Sequence, residues 1–227
     1  MVELGIPFSD PVADGPVIQA AAVRALQAGV RTGDCLAMIR RFRARHPDIP
    51  VGILTYANIV GARGIEQFAQ ALAETGADSL LVADVPSIEA APYAAAARAA
   101  GIDLVMIAAP NTPAPVIQQI ARLSSGYTYC VARAGVTGAD RQLQLDHRHL
   151  FEALDEAGAA PPILGFGISS PAQVAEALSH GAAGVISGSA IVRRIAEGAS
   201  PSEVAAFVGE LKAGTKAARL DFASAAL

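Results

Sequence analysis

Short apolar runs alternate with longer segments of helical periodicity along the chain. The runs cover residues 51–56, 78–84, 103–109, 127–132, 162–167 and 183–188. None of them shows strict alternation of apolar and polar positions, and this is typical of parallel strands that are buried on both faces. The pattern therefore predicts a parallel sheet.

The segments between these runs predict helices. We expect them at about 18–28, 33–45, 64–75, 88–100, 113–123, 146–157, 171–180, 189–196 and 201–218. The clearest start signal is "SSPAQ", where Ser170 can cap a helix, Pro171 fits its first turn and Gln173 completes a capping box. Repeated strand-helix units of this kind predict an α/β fold, either an open doubly wound sheet or a barrel.

Glycine-rich turns distinguish between these two folds. "GFGIS" at 165–169 lacks the third glycine of a dinucleotide fingerprint and comes late in the chain. "GFGISSP" and "GVISGSAIV" instead each follow one of the last two predicted strands and open a helix. In a barrel, these two loops form a phosphate site, which makes Gly167, Gly188 and Ser189 candidate phosphate ligands. The alternative is that they are ordinary turns and helix caps, and the loop at 132–140 is either a lid or a plain surface loop.

Three carboxylates lie near the start of the chain, in "ELGIPFSDPVADGP". Glu3 follows an apolar strand pattern, so we expect it to be partly desolvated, with a raised pKa suited to acid-base chemistry. Asp14 lies on the following loop, where a second carboxyl could stay ionised, so that one group acts as acid and the other as base. The alternative is that Asp10 and Asp14 only cap helices and Glu3 is an edge residue.

Composition narrows the function classes. The chain has 227 residues, of which 52% are hydrophobic and 17% charged, with a net charge of −4; this predicts one domain over residues 1–227 and argues against nucleic-acid binding. Cys35 and Cys130 are far apart and are expected to be reduced. The chain has no leader-like start and no uninterrupted apolar run of membrane-spanning length, so we expect a soluble cytoplasmic protein. The four histidines lack the spacing of metal ligands, and His147 and His149 are two residues apart.

Six ordered motifs together resemble the tryptophan synthase alpha subunit family. They are "ELGIPFSDPVADGPVIQ", "LTYAN", "LVADVP", "AGVTGA", "GFGIS" and "SGSAIV", and the resemblance covers essentially the whole chain. It implies a (βα)8 TIM barrel that cleaves indole-3-glycerol phosphate into indole and glyceraldehyde 3-phosphate by a retro-aldol step, with no metal and no organic cofactor.

The resemblance also assigns roles to residues. Glu3 matches the general acid/base that protonates indole C3 and then deprotonates the glycerol hydroxyl, and Asp14 matches the carboxylate that accepts the indole N–H. Tyr56 and Tyr129 match pocket-lining residues, although each could equally be a core tyrosine with a satisfied hydroxyl. The apolar pocket walls match Leu54 and Leu81, the phosphate cradle matches Gly138, Gly167, Gly188 and Ser189, and the lid that closes over Asp14 carries Thr137.

The family further implies a partner and a longer chain. Its members pair with a pyridoxal-phosphate beta subunit in an αββα complex, which the loops at 7–11 and 133–138 would face.

Family members also carry a first strand, a first helix and most of a second strand ahead of the position of Glu3, so we expect Met1 to be an internal residue of a longer protein. In the lid, Ala132 and Ala134 replace the usual hydroxyl residues. Two alternatives stay open: a non-catalytic fragment that at most binds or modulates a beta subunit, and another phosphate-binding barrel.

Overall fold

Seven parallel strands form one sheet in the computed structural model, which describes residues 1–131, 147–165 and 167–225, with side chains to residue 216. Their order in the sheet is their order in the chain, so each strand pairs with the next. All six predicted strands are confirmed, and the seventh carries Glu3. The strands are β1 (Val2–Gly5), β2 (Val51–Thr55), β3 (Ser79–Val82), β4 (Asp103–Ala108), β5 (Thr128–Val131), β6 (Pro162–Gly165) and β7 (Gly184–Val185).

Helices connect the strands on the outside of the sheet, as the periodicity predicted. They are α1 (Pro16–Gln27), α2 (Thr32–Arg45), α3 (Ala57–Gly61), α4 (Ile65–Thr75), α5 (Ala91–Ala100), α6 (Ala114–Leu123), α7 (Arg148–Glu156), α8 (Pro171–Ser179), α9 (Ser189–Ala196) and α10 (Pro201–Ala225). The five-residue α3 was not predicted. The helix expected at 88–100 is split into a short 3₁₀ turn, Ser87–Glu89, followed by α5.

Two apolar layers lie on opposite faces of the sheet. The outer layer fills the space between strands and helices and includes the fully buried Ile53, Phe68 and Leu80. A smaller inner cluster is made by Leu81, Val105, Tyr127, Tyr129 and Val131, with Leu54, Ile163 and Ile186 packed against it. Because strand residues alternate between faces, the inner cluster marks the barrel interior.

Local signals fix the ends of several elements. Ser170 accepts a hydrogen bond from the backbone N–H of Gln173 at 3.3 Å and completes the predicted capping box of α8. Arg43, near the end of α2, donates to the carbonyls of Gly76 and Ile49 at 2.9 and 3.0 Å and pairs with Asp78. This arginine therefore links α2 to the starts of β2 and β3.

The seven described strands and their helices have the arrangement of a (βα)8-type barrel. Among the described residues, β1 pairs only with β2, and β7 pairs only with β6. Helices α1 and α9 contact each other, so the two ends of the sheet curl towards one another. The family resemblance implies that β1 is only the end of a longer strand, yet its four residues all pair with β2. No helix among the described residues is long and apolar enough to cross a membrane.

Candidate active site

Glu3 points from β1 into the barrel interior. Its carboxylate accepts a hydrogen bond from the Tyr127 hydroxyl at 2.5 Å, across the barrel from β5. Burial raises the pKa of Glu3 above its ordinary value, and the bond from Tyr127 acts in the opposite direction. The sequence-based expectation of a desolvated strand carboxyl is therefore matched.

Asp14 lies on the loop between β1 and α1 and contacts the end of β2. The buried Tyr56 donates to its carboxylate at 2.8 Å, and the same hydroxyl accepts from the backbone N–H of Ala13 at 3.3 Å. The cap of α1 is Gly15, without a side-chain bond, so Asp14 does not cap this helix. Burial also raises the pKa of Asp14. The pKa values of both carboxyls are therefore raised, whereas the sequence suggested a raised pKa for Glu3 alone.

Tyr129 lies within the electrostatic reach of both carboxyls. Its pKa is raised first by burial and then by the charges of Glu3 and of Asp14. Its ring lies directly against the backbone of β6, because a Cβ added at Gly165 would be 2.5 Å from the Tyr129 Oη. Glycine at this position is therefore what allows the tyrosine ring to lie beside the two acids.

Apolar side chains line the same interior. Leu81 is 2% exposed and belongs to the inner cluster with Tyr129, while Leu54 is partly buried against that cluster. The barrel interior thus combines an apolar cluster with two carboxyls and tyrosine hydroxyls, groups that can exchange protons in an apolar environment.

The two Gly/Ser turns lie next to each other. The Ser187 hydroxyl donates to the carbonyl of Ile168 at 2.7 Å and so ties the loop after β7 to the loop after β6. Gly167 has a φ of +88°, which a residue with a side chain rarely adopts, and Gly188 precedes the first residue of α9, Ser189. These turns present backbone N–H groups at a helix start, as anion sites do.

Comparison with known proteins establishes the family. The profile of the tryptophan synthase alpha chain matches residues 1–219. The chain belongs to this family. A tryptophan synthase alpha chain from Pectobacterium atrosepticum is 52% identical over 220 residues, which are 95% of this chain and 82% of that one. One from Shewanella amazonensis is 54% identical over 194 residues, or 86% of this chain and 73% of that one.

Solved structures of the family share the fold. A tryptophan synthase complex from Pyrococcus furiosus superposes with a TM-score of 0.81 at 32% identity, covering 93% of this chain and 85% of that one. The alpha subunit from Legionella pneumophila gives a TM-score of 0.83 at 32% identity, covering 93% and 80%. The fold expected from the family resemblance is thus confirmed.

Some of the residues that the family resemblance singled out lie outside the described residues. These are Thr137 and Gly138, together with the lid alanines, Ala132 and Ala134. Their roles in the lid and the phosphate cradle remain predictions.

Other polar residues take no part in the site. Asp10 is exposed and accepts a bond from Ser9 at 2.6 Å. The rings of His147 and His149 lie 6.5 Å apart. Within the described part of the chain, no three His, Cys, Asp or Glu side chains converge as metal ligands do. Cys35 and Cys130 are buried and free.

Sequence reasoning missed two residues that hold the acids in place. Tyr127 binds Glu3, and Asp84 accepts the backbone N–H of Ala57 at 2.7 Å, directly after Tyr56. A signal for Tyr127 was present, because it is two residues from Tyr129 on a strand and so shares its face. Asp84 lies in the motif "LVADVP", but nothing in the local sequence predicts that it bonds to Ala57.

Proposed function

We propose that this chain cleaves indole-3-glycerol phosphate into indole and glyceraldehyde 3-phosphate, and so acts as a carbon-carbon lyase in tryptophan synthesis. The observation that carries the proposal is the pair of carboxyls, Glu3 and Asp14, each bonded to a tyrosine hydroxyl. Membership of the tryptophan synthase alpha chain family supports the same chemistry.

The reaction needs a group that donates a proton to indole C3 and a group that accepts the proton of the hydroxyl on the adjacent glycerol carbon. Glu3 in its protonated form delivers a proton to indole C3, and Asp14 stabilises the positive charge that develops at the ring nitrogen by accepting its N–H. Glu3, now a carboxylate, takes the proton from the adjacent glycerol hydroxyl. The bond between C3 and the glycerol carbon then breaks, its electron pair restores the indole ring, and the hydroxyl carbon becomes the aldehyde.

The environment of Glu3 suits both of its roles. Burial raises the pKa of Glu3, which favours the protonated form that the first step requires. The Tyr127 hydroxyl donates to the carboxylate and stabilises the ionised form that the second step requires. The two effects oppose each other, so the site supports both the protonated and the ionised form of Glu3.

The substrate phosphate would bind at the two adjoining turns. Backbone N–H groups of Gly167, Gly188 and Ser189 are the candidate ligands, and the start of α9 adds a favourable dipole. The predicted contribution of Gly138 and Thr137 belongs to the lid. No metal or organic cofactor enters this scheme, because protonated C3 makes the ring itself the electron acceptor.

We further propose that the chain pairs with a tryptophan synthase beta subunit in an αββα assembly. A solved tryptophan synthase complex from Pyrococcus furiosus shares its fold. The loop at 7–11 lies on the carboxyl rim of the barrel next to Asp14, where a partner could receive the indole product. The alternative of a non-catalytic fragment is less well supported, because the paired carboxyls and their tyrosines are in place.

Indole release from indole-3-glycerol phosphate by the purified chain tests the proposal. We expect Glu3→Gln and Asp14→Asn each to lower kcat/KM by about 10²- to 10⁴-fold, the usual contribution of a positioned acid-base group. Asp10→Asn is the matched control, because it removes the same charge from an exposed position of the same loop. Turnover by Glu3→Gln within a factor of ten of the parent chain would exclude Glu3 from the chemistry.

A further inference from the structure

A cleft of about 480 Å³ lies at the amino-terminal end of the sheet, opposite the rim that carries Asp14. It is bounded by the starts of β3 and β4, by the last turns of α5 and α6, and by the loop at 124–125 that follows α6. Its volume falls within the range of about 300–1,000 Å³ that small-molecule sites occupy. This part of the molecule takes no part in the lyase chemistry proposed above.

Charged residues of both signs line the cleft, and they come from different layers of the barrel. The basic residues are Arg98 and Arg122, in the last turns of α5 and α6. The acidic residues are Asp78 and Asp103, at the edge of the sheet, where the Asp103 N–H donates to the Asp78 carbonyl at 2.9 Å. The cleft therefore has a basic helical side and an acidic strand side.

Three of these four side chains lack a partner among the residues that the structure describes. Asp78 is the exception, because it pairs with Arg43. Arg98, Arg122 and Asp103 form no side-chain hydrogen bond and no ion pair there. Two cations and one anion in the same cleft are therefore left for a ligand, and hydrogen bonds to charged groups of this kind are the strong ones.

The rest of the cleft is held in place and is partly apolar. The Ser125 hydroxyl accepts the N–H of Leu104 at 3.2 Å, and the Ser125 N–H donates to the Leu104 carbonyl at 2.8 Å, so the loop after α6 is fixed against β4. Gly126 has a φ of +71°, and a Cβ added there would lie 2.6 Å from the Asp103 carboxylate, so glycine leaves room for this acid. Ile102 and Leu104, which are 6% and 3% exposed, form apolar parts of the lining.

We propose that this cleft binds a free α-amino acid with a large apolar side chain. Arg98 and Arg122 hold its carboxylate, because guanidinium groups bind carboxylates through paired N–H donors. Asp103 holds its ammonium group. The apolar side chain of the ligand lies against Ile102 and Leu104, where it is removed from water.

An inorganic anion fits the cleft less well. Asp103 repels it, and the last turns of α5 and α6 place the negative ends of two helix dipoles beside the cleft. A zwitterion brings a positive group for this side of the cleft as well as a carboxylate for the arginines. Ligands that lack one of the two charges therefore distinguish the two kinds of site.

Titration of the full 227-residue chain with L-phenylalanine tests the proposal. Two analogues each lack one charge: 3-phenylpropionate has no ammonium group, and 2-phenylethylamine has no carboxylate. Isothermal titration calorimetry should give saturable binding of L-phenylalanine and binding of each analogue that is weaker by about ten-fold or more, because each loses a hydrogen bond between charged groups. In nitrogen-15 NMR, the amide signals that move should include those of Gly101 and Ser125, which line the cleft.

Substitutions locate the two charges of the ligand. Arg98→Gln and Arg122→Gln should each weaken the binding of L-phenylalanine by about ten-fold. Asp103→Asn should weaken it by a similar factor without weakening the binding of 3-phenylpropionate, which has no ammonium group to lose. Arg24→Gln is the matched control, because it removes the same charge from the last turn of α1 and should leave binding unchanged. Circular dichroism confirms that each variant is folded.

Four results would overturn the proposal. They are no saturation up to about 10 mM L-phenylalanine, binding of 3-phenylpropionate as tight as that of L-phenylalanine, equal binding by Arg98→Gln and the parent chain, and NMR shifts confined to the amides around Glu3 and Asp14. The second would mean a site for anions alone, and the last would place the ligand in the candidate active site. None of these readouts needs turnover, so they stand apart from the lyase assay.

Discussion

The hydrogen bond between Tyr127 and Glu3 allows a quantitative test of how the barrel adjusts its acid. Tyr127→Phe removes one hydroxyl from the inner cluster and leaves the ring in place. The lost bond has a donor-acceptor distance of 2.5 Å and ends on a carboxylate in an apolar interior. The substitution therefore removes a contact that favours only the ionised form of Glu3.

The expected size of the effect follows from the energy of such bonds. A hydrogen bond to a charged group contributes about 1.5–3 kcal/mol, and a pKa changes by one unit for each 1.36 kcal/mol of difference between protonation states. Burial already raises the pKa of Glu3, and Tyr127 opposes that rise. Tyr127→Phe should therefore raise the pKa of Glu3 by about one to two further units.

Carbon-13 NMR of chains labelled at the glutamate side-chain carboxyl measures this pKa directly. In kinetics, the first step needs protonated Glu3, so the alkaline limb of kcat/KM should move to higher pH by the same amount. Tyr93→Phe is the control, because it removes the same atom from a tyrosine on α5 away from the acids. An unchanged or lowered pKa of Glu3 in Tyr127→Phe would refute the assignment of Tyr127 as the group that stabilises the carboxylate.

Four other substitutions test the packing and the electrostatics of the barrel. Thr55 is fully buried and its hydroxyl has no hydrogen-bond partner in the described part of the chain, so Thr55→Val should raise the free energy of unfolding by up to about 1 kcal/mol in denaturant titrations. Thr128→Val, which removes a bond of 2.9 Å to a backbone carbonyl, should instead lower it by about 1–2 kcal/mol; equal effects in the two variants would contradict this account. Gly165→Ala should cost about 1–3 kcal/mol and most of the indole release, because its Cβ would lie 2.5 Å from Tyr129; full activity would mean that Tyr129 is not needed where it lies. Because the folded-state pKa of Glu3 lies above its ordinary value of 4.5, its charge lowers stability as pH rises from 4.5 through the raised pKa. The Tm of Glu3→Gln should exceed that of the parent chain by a margin that grows over this range, and a constant margin would contradict the shift.

Elements that are defined by their own sequence were predicted well. The strands at β2 to β6 are continuous apolar runs, and α8 carries its cap and capping box within four residues. The missed helix, α3, is five residues long, and Asp84 of the following strand-loop segment bonds its first N–H. Such a helix depends on a contact 27 residues away, which no local pattern contains.

The same distinction separates the predicted from the unpredicted parts of the site. Glu3 and Asp14 were found because carboxyls in an apolar, proline-rich stretch are conspicuous. Their tyrosine partners lie 124 and 42 residues away, so the pairing follows only from the tertiary fold. The rise in the pKa of Asp14 also depends on the tertiary fold, because burial causes it and Asp14 contacts Tyr56 at the end of β2.

The two acids differ in how firmly the fold holds them. Asp14 is bonded to Tyr56, which is buried directly after β2 and stacks on Phe8 with ring centroids 5.1 Å apart. Glu3 lies on β1, which pairs with β2 alone among the described strands. The backbone of Glu3 is therefore held less firmly than the side chain of Asp14, although a proton donor must be kept close to its acceptor carbon.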